Sequence, residues 1–275
     1  MIGGPMLSRL SSAVRQAASL VTQFCVLGER RCVSCHEPFL PEKSDALSAL
    51  FCPRCRPSFR RREAGYCPHC GEPSALADTP IAPCGECLQK LPPWNDFLFH
   101  GVYEGALREL ILRGKFRGGL DALEALGHML AALCHEHYAA TLPPHVLIPL
   151  SLHPSRLKER GLDQCVEMAR PVAQTLSIPM RCDMLWRTAA SVPQATLDRA
   201  ERKRLRQLFG ASAEVRGLRV LLLDDVCTTG ATLSRAAECL LEAGALSVDV
   251  VVAARTSLHS PPAERPGKGG GRALP

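Results

Sequence analysis

Four CxxC pairs crowded between Cys32 and Cys87 constrain what this chain can fold into more than any other feature. They are Cys32/Cys35, Cys52/Cys55, Cys67/Cys70 and Cys84/Cys87, separated by 16, 11 and 13 residues, and they use eight of the 14 cysteines. The stretch has little periodicity and much Pro and Arg, so it buries too little apolar area to fold without a staple. Zinc held by four thiolates supplies one, because each CxxC turn presents two sulfurs on a single knuckle. The first and last gaps sit at or near ribbon spacing. Pairing in series gives two zinc ribbons, Cys32, Cys35, Cys52 and Cys55 on one ion and Cys67, Cys70, Cys84 and Cys87 on the other. An interleaved pairing also fits, and redox dithiols or disulfides are the competing chemistry. Four thiolates close the coordination shell, which makes such zinc structural. His36 and His69 lie within the knuckles and are left out of the ligand set.

Residues 1–28 place Leu7, Leu10, Val14, Ala17, Val21 and Phe24 at steps of three and four, the pattern of an amphipathic helix. They carry no continuous apolar segment or cleavage site of the secretory kind, so the expected setting is cytoplasmic, where thiols stay reduced. No apolar run approaches the ~18 residues of a membrane span. Residues 29–92 form the cysteine-rich module, 93–257 a second domain, and 258–275 a Pro/Gly-rich tail that reads as disordered. Aromatics are 5% of the chain, so the core must be mostly aliphatic. The net charge of +6 permits an anionic ligand or nucleic acid without demanding either.

From Phe97 onward the pattern is α/β. Phe97–Tyr103, Val146–Ile148, Val220–Leu223 and Val248–Ala254 read as strands. Gly105–Arg113, Leu120–Tyr138, Asp163–Leu176 (broken near Pro171) and Thr232–Ala243 read as helices, the last with Gly244 just past its end. Strands that are apolar at every position and alternate with helices imply a parallel sheet covered on both faces.

The run Val220-Leu221-Leu222-Leu223-Asp224-Asp225-Val226-Cys227-Thr228-Thr229-Gly230-Ala231-Thr232 carries the chemistry. A buried strand ends in two acids, a turn of small residues follows, and then a helix. Ligands in open α/β sheets bind at the carboxyl ends of strands. Backbone N–H groups of Thr228–Thr232 and the positive helix end suit a phosphate, and Gly230 allows close approach. Asp224 and Asp225 can accept hydrogen bonds from vicinal hydroxyls, so the segment suits a 5-phosphorylated ribose. The rival P-loop and dinucleotide fingerprints are absent. Cys227 is either a redox-sensitive thiol at a helix N-terminus or a small space-filling residue.

This run resembles the fingerprint by which type I phosphoribosyltransferases bind 5-phosphoribosyl pyrophosphate (PRPP). From about Cys32 to Arg255 the chain resembles the ComF family, also called ComFC or GntX-like: a zinc module followed by a phosphoribosyltransferase-like domain. Leu112-Arg113-Gly114-Lys115-Phe116-Arg117-Gly118, Pro149–Gln164 with its Arg160-Gly161-Leu162-Asp163-Gln164, and Trp186-Arg187-Thr188 with Gln194, Arg199, Arg202 and Phe209 carry the rest of the likeness. Asp163 stands where the family usually has Asn, two residues inserted between Leu150 and His153 lengthen that loop, and Leu205 replaces an expected Asn.

The resemblance implies a parallel sheet of the type I phosphoribosyltransferase kind flanked by helices, with a small N-terminal double zinc-ribbon module. It implies PRPP, or a related ribose phosphate, on Asp224, Asp225, Cys227, Thr228, Thr229, Gly230, Ala231 and Thr232, accompanied by Mg²⁺. Leu150, Ser151, Arg156, Arg160, Arg187 and Arg199 are candidates for the pyrophosphate and its closing loop. No general base for a second substrate is evident, since Cys227 fills the loop position where an acid serves in some such enzymes. The implied role is natural transformation, with single-stranded DNA and a DNA-uptake helicase as partners. Two readings follow: phosphoribosyl transfer to an unknown acceptor, or a non-catalytic DNA-binding competence factor whose site reads or senses a 5′-phosphorylated ribose. For DNA, Arg54, Arg56, Arg60, Arg61 and Arg62 and a second cluster, Arg199, Arg202, Lys203, Arg204 and Arg206, offer positive charge, and Phe59, Tyr66 and Trp94 offer stacking surfaces.

Overall fold

A computed structural model describes residues 28–42, 46–116, 119–150, 162–188 and 209–257. The helix expected in residues 1–28 falls outside these but for its last residue, and the expected tail at 258–275 lies wholly outside. The chain divides into two compact units, one ending at Phe59 and the other beginning at Arg60. No helix among the described residues is long and apolar enough to cross a membrane.

In the first unit, β1 (Arg30–Arg31) pairs antiparallel with β2 (Pro38–Phe39), followed by α1 (Ala46–Leu50) and a 3₁₀ turn at Arg56–Phe59. Its small core is Phe51 stacked on Phe59, ring centroids 3.9 Å apart. The Cys32–Cys35 knuckle is closed by hydrogen bonds from His36 N to the Cys32 carbonyl and from Cys32 N to the Glu37 carbonyl.

The second unit holds α2 (Gly85–Gln89) and then a four-stranded, all-parallel sheet. Its strands are β3 (Phe97–Val102), β4 (Val146–Pro149), β7 (Arg219–Cys227) and β8 (Ser247–Arg255), in spatial order β3-β8-β7-β4. Between β3 and β4 come α3 (Gly105–Phe116) and α4 (Leu120–Tyr138); α5 (Gln164–Leu176) follows β4, and α6 (Ala231–Glu242) joins β7 to β8. Helices α4 and α5 pack on one sheet face and α6 on the other. The α6 side buries Val220, Leu222, Val248, Val250 and Val252 against Leu233, Ala236, Ala237 and Leu240. The core is aliphatic, as the composition required, and parallel strands covered on both faces account for the unbroken apolar runs.

Several elements differ from expectation, each for a physical reason. Helix α5 runs unbroken through Pro171. Proline forfeits one helical hydrogen bond, but here α5 packs so closely on α4 that a Cβ on Gly127 would lie 2.7 Å from the Met168 carbonyl oxygen and 2.9 Å from the Pro171 ring. Strand β7 does not end at the acids: it runs on to Cys227, because β8 pairs alongside through Asp224↔Val252, Val226↔Ala254 and Cys227↔Arg255. On its other edge β4 stops at Pro149↔Leu223, so among the described residues no strand pairs with the acids on that side. An antiparallel pairing of β5 (Leu185–Arg187) with β6 (Phe209–Ala211) was not foreseen. Gly244, with φ of 101°, closes α6: Gly244 N donates to Leu241 and Ala245 N to Leu240, the Schellman pattern.

Candidate functional site

The open end of β7 beyond β4 is the centre of the site. Asp224 is partly buried and Asp225 buried, and side chains from two helices reach them. Lys115, near the end of α3, places Nζ 3.0 Å from Asp225 Oδ2, with both side chains largely enclosed. Gln164 Nε2, on the first residue of α5, donates to the same oxygen. Cys165 Sγ donates to Asp224 Oδ1 at 3.5 Å, and the Asp225 amide donates to that oxygen at 2.8 Å. Burial, and then the Asp225 carboxylate beside it, push the Asp224 carboxyl up to about 7. Burial and the same two acids hold the Cys165 thiol well above its ordinary value.

Asp163 caps α5, its Oδ1 accepting from the amides of Cys165 at 3.0 Å and Val166 at 3.4 Å. Asn caps equally well, so the departure from the family residue leaves this helix start intact. The cap sets the direction in which Gln164 and Cys165 leave the helix, toward the acids.

The turn after β7 has the character that its residues suggest. Gly230 adopts φ of 76°, and the Ser234 amide closes the first turn of α6 on the Gly230 carbonyl at 2.8 Å. Thr228, Thr229, Ala231 and Thr232 are exposed. The Ala231 amide is met by Thr229 Oγ1 at 3.3 Å. No acceptor among the described residues pairs with the amides of Thr228, Thr229 or Thr232, which leaves the donor end of the helix open toward an anion. Cys227 is buried beneath, its thiol pushed up to about 11 by burial, which fits the space-filling reading rather than a reactive thiolate.

Of the pyrophosphate candidates, Leu150 is buried and its amide is committed to the Leu223 carbonyl at 2.7 Å. Arg187 lies on β5 with its guanidinium 5.0 Å from the Phe209 ring centroid. Ser151, Arg156, Arg160 and Arg199 lie outside the described residues, as do Arg202, Lys203, Arg204 and Arg206. Cys165 is the site residue that sequence reasoning passed over. Lys115 and Gln164 were quoted only within resembling segments. Nothing local marks any of them, because the sheet topology alone brings α3, α5 and β7 together.

The eight thiols group in chain order, which decides between serial and interleaved pairing. Cys32, Cys35, Cys52 and Cys55 form one tetrad and Cys67, Cys70, Cys84 and Cys87 the other, the sulfurs of each lying within 4.8 Å of one another. Cys35 Sγ and Cys52 Sγ are 3.7 Å apart, as are Cys70 Sγ and Cys84 Sγ. A Zn–S distance of about 2.3 Å in a tetrahedron implies sulfur–sulfur edges of about 3.8 Å, so both tetrads fit structural zinc. His36 and His69 belong to neither tetrad.

Two of the three expected stacking platforms are buried. Phe59 and Trp94 are core residues, and Tyr66 meets Phe99 edge-on at 5.1 Å. The arginines are largely engaged as well: Arg56 pairs with Glu42, Arg61 with Glu136, and Arg62 donates to the carbonyls of Ala64, Gly65 and Ser74. Aromatics so close to cysteine knuckles serve the small cores there, which composition alone does not reveal.

A strand–turn–helix unit with paired acids, set in a parallel sheet, defines a phosphoribosyltransferase-type domain, and the phosphoribosyl transferase domain family model matches residues 162–265. DNA utilization protein YhgH of Salmonella typhimurium is 32% identical over 208 residues, covering 74% of this chain and 90% of its own. Competence protein F of Haemophilus influenzae is 28% identical, covering 67% of this chain and 82% of its own. Competence protein ComFC of Bacillus subtilis is 29% identical, covering 70% and 78%. The chain belongs to the ComF family of phosphoribosyltransferase-like proteins.

Proposed function

We propose that the crevice at the end of β7 binds PRPP or a closely related 5-phosphorylated ribose, and that the chain serves DNA uptake in natural transformation through phosphoribosyl transfer to an acceptor still to be identified. One observation carries this reading: a single strand–turn–helix unit joins two adjacent carboxylates to open helix N-terminal amides. The 5-phosphate would rest on residues 227–232 and the ribose hydroxyls on Asp224 and Asp225. Lys115, already 3.0 Å from Asp225, adds a cation at the same place. Ser151, Arg156, Arg160, Arg187 and Arg199 are the candidates for the pyrophosphate, with Leu150 beside them in sequence. The two acids are hard oxygen donors of the kind Mg²⁺ takes beside a polyphosphate, and the ion would neutralise leaving-group charge. In the transfer, the C1–oxygen bond to pyrophosphate breaks, the bond to the acceptor forms, and the acceptor's proton leaves.

A second reading, a competence factor that binds the 5′-phosphorylated ribose of single-stranded DNA without turnover, is favoured by one observation. The thiol in the variable loop position, Cys227, is buried and pushed up to about 11, so the loop holds no evident general base. The names of the relatives, DNA utilization and competence proteins, accord with either reading. Titration of fluorescent oligonucleotides bearing a 5′-phosphate or a 5′-hydroxyl, with and without PRPP, tests both. Displacement of the 5′-phosphorylated strand by PRPP supports a shared site, and pyrophosphate release on adding an acceptor marks the enzyme. Strand binding indifferent to PRPP and to the 5′-phosphate would refute the shared site.

A further inference from the structure

Arg255, the last residue of β8, has 2% of its surface exposed, yet it carries a full charge. Its guanidinium is consumed from two directions. On one side, Nε donates to the Cys70 carbonyl at 3.0 Å and Nη2 meets Glu72 Oε2 at 2.8 Å, with Glu72 itself 6% exposed. On the other, Nη1 donates to the carbonyls of Thr228, of Cys227 at 3.3 Å and of Thr256 at 2.6 Å. Cys70 and Glu72 belong to the second tetrad's knuckle; Cys227 and Thr228 begin the phosphate turn. One buried side chain therefore ties a metal-binding loop to an anion-binding loop.

The knuckle can hold its end only while it is folded. The Cys67 amide donates to the Glu72 carbonyl at 2.9 Å and the Gly71 amide to the Cys67 carbonyl at 2.8 Å, so the ring that positions Glu72 is the ring that positions both sulfurs. Trp94 adds a second strut, with Nε1 donating to the His69 carbonyl at 2.7 Å and its ring near enough that a Cβ on Gly230 would lie 3.6 Å away. Between these struts is a cleft of ≈ 190 Å³ lined by Cys70, Cys87, Thr229 and Gly230, open space into which the turn can relax. Small metal knuckles lose their structure with the ion. Arg255 would then be a buried charge stripped of its anion, a state that reorganises rather than persists.

We propose that the second cysteine tetrad is the back wall of the phosphate turn, and that Arg255, with Glu72, is the positioning residue that makes the geometry of that turn depend on metal at Cys67, Cys70, Cys84 and Cys87. The inference rests on the ribose-phosphate reading of the turn. It assigns the second zinc a role in ligand affinity, and it makes the site responsive to zinc loss or thiol oxidation.

Hydrogen–deuterium exchange on the full zinc-loaded chain tests this without relying on activity. The reporters are the amides of Ala231, Ser234 and Thr256, which the turn's own hydrogen bonds protect; α4 amides report global unfolding. Glu72→Gln is expected to keep its zinc and its α4 protection, yet exchange about tenfold faster at the reporters and bind PRPP about tenfold more weakly. Cys67→Ser/Cys70→Ser is expected to show the same at the reporters, whereas Cys32→Ser/Cys35→Ser serves as the metal-loss control and leaves them unchanged. If Cys67→Ser/Cys70→Ser fails to fold, Glu72→Gln decides alone. Unchanged reporter exchange in Glu72→Gln, with wild-type PRPP affinity, overturns the coupling and leaves the ribose-phosphate reading standing. Faster reporter exchange in a protein whose wild type never binds PRPP leaves the coupling standing and removes that reading.

Discussion

Asp224 shows at a single residue what the proposed ribose-phosphate site costs the fold. A carboxyl whose folded pKa of about 7 exceeds its ordinary 3.8 stabilises the fold while protonated. That contribution is whole below the unfolded value and is lost as pH rises through about 7. Asp224→Asn is therefore expected to raise stability at pH 8 by on the order of 1 kcal/mol or more, read as a higher thermal midpoint, while ending ribose-phosphate binding. Equal or lower stability of the variant at pH 8 would count against the burial argument. Ligand affinity should run the other way with pH. Ribose hydroxyls need a carboxylate acceptor, so the Kd for PRPP is expected to weaken by up to about tenfold per pH unit below 7, measured by titration between pH 5.5 and 8.5. The acids and the Thr-Thr-Gly-Ala-Thr turn were legible in sequence because all of their parts are contiguous. Lys115, Cys165 and Arg255 were not, because their partners lie on other elements, and an isolated Lys, Cys or Arg carries no local sign of a buried partner.

At the scale of elements, the two N-terminal knuckles solve one problem with different residues. Each needs a left-handed residue after its second cysteine: Gly71 at φ of 70° in one, His36 at φ of 62° in the other. A Cβ on Gly71 would lie 2.5 Å from the Phe97 ring, so the second knuckle requires glycine for space as well as for backbone angle. His36 is exposed and pays only the backbone strain. Gly71→Ala is expected to destabilise by about 2 kcal/mol or more, from strain and overpacking together, and to release zinc from the second tetrad first. His36→Gly is expected to be neutral or stabilising by up to about 1 kcal/mol. Thermal unfolding with a zinc-release dye checks both, and a harmless Gly71→Ala would contradict the close packing of knuckle on strand. The sequence-level reading placed both knuckles and the four long helices, since CxxC spacing and apolar periodicity are local signals, but not the one-turn helices α1 and α2 within the cysteine-rich stretch. It shortened β7, because two acids look like a strand end until the pairing with β8 is known. It broke α5 at Pro171, because the close packing against Gly127 is tertiary.

For the whole molecule, serial pairing of the tetrads predicts two zinc ions per chain by elemental analysis. Cys32→Ser/Cys35→Ser combined with Cys52→Ser/Cys55→Ser should retain one ion, whereas an interleaved arrangement would lose both. Zinc retention should fall as the pH is lowered, because the thiols must be deprotonated to bind. The CxxC spacing suggested zinc but left its pairing open, and only the sulfur positions made the tetrads serial, because which knuckles meet is a tertiary property. The most direct test is calorimetric titration of zinc-loaded wild type and Asp224→Asn/Asp225→Asn with PRPP and Mg²⁺. The expected result is saturable binding by the wild type and none by a variant that remains folded and zinc-replete. A folded, zinc-replete wild type that takes up no PRPP, or a double variant that binds as well as wild type, would contradict the ribose-phosphate site.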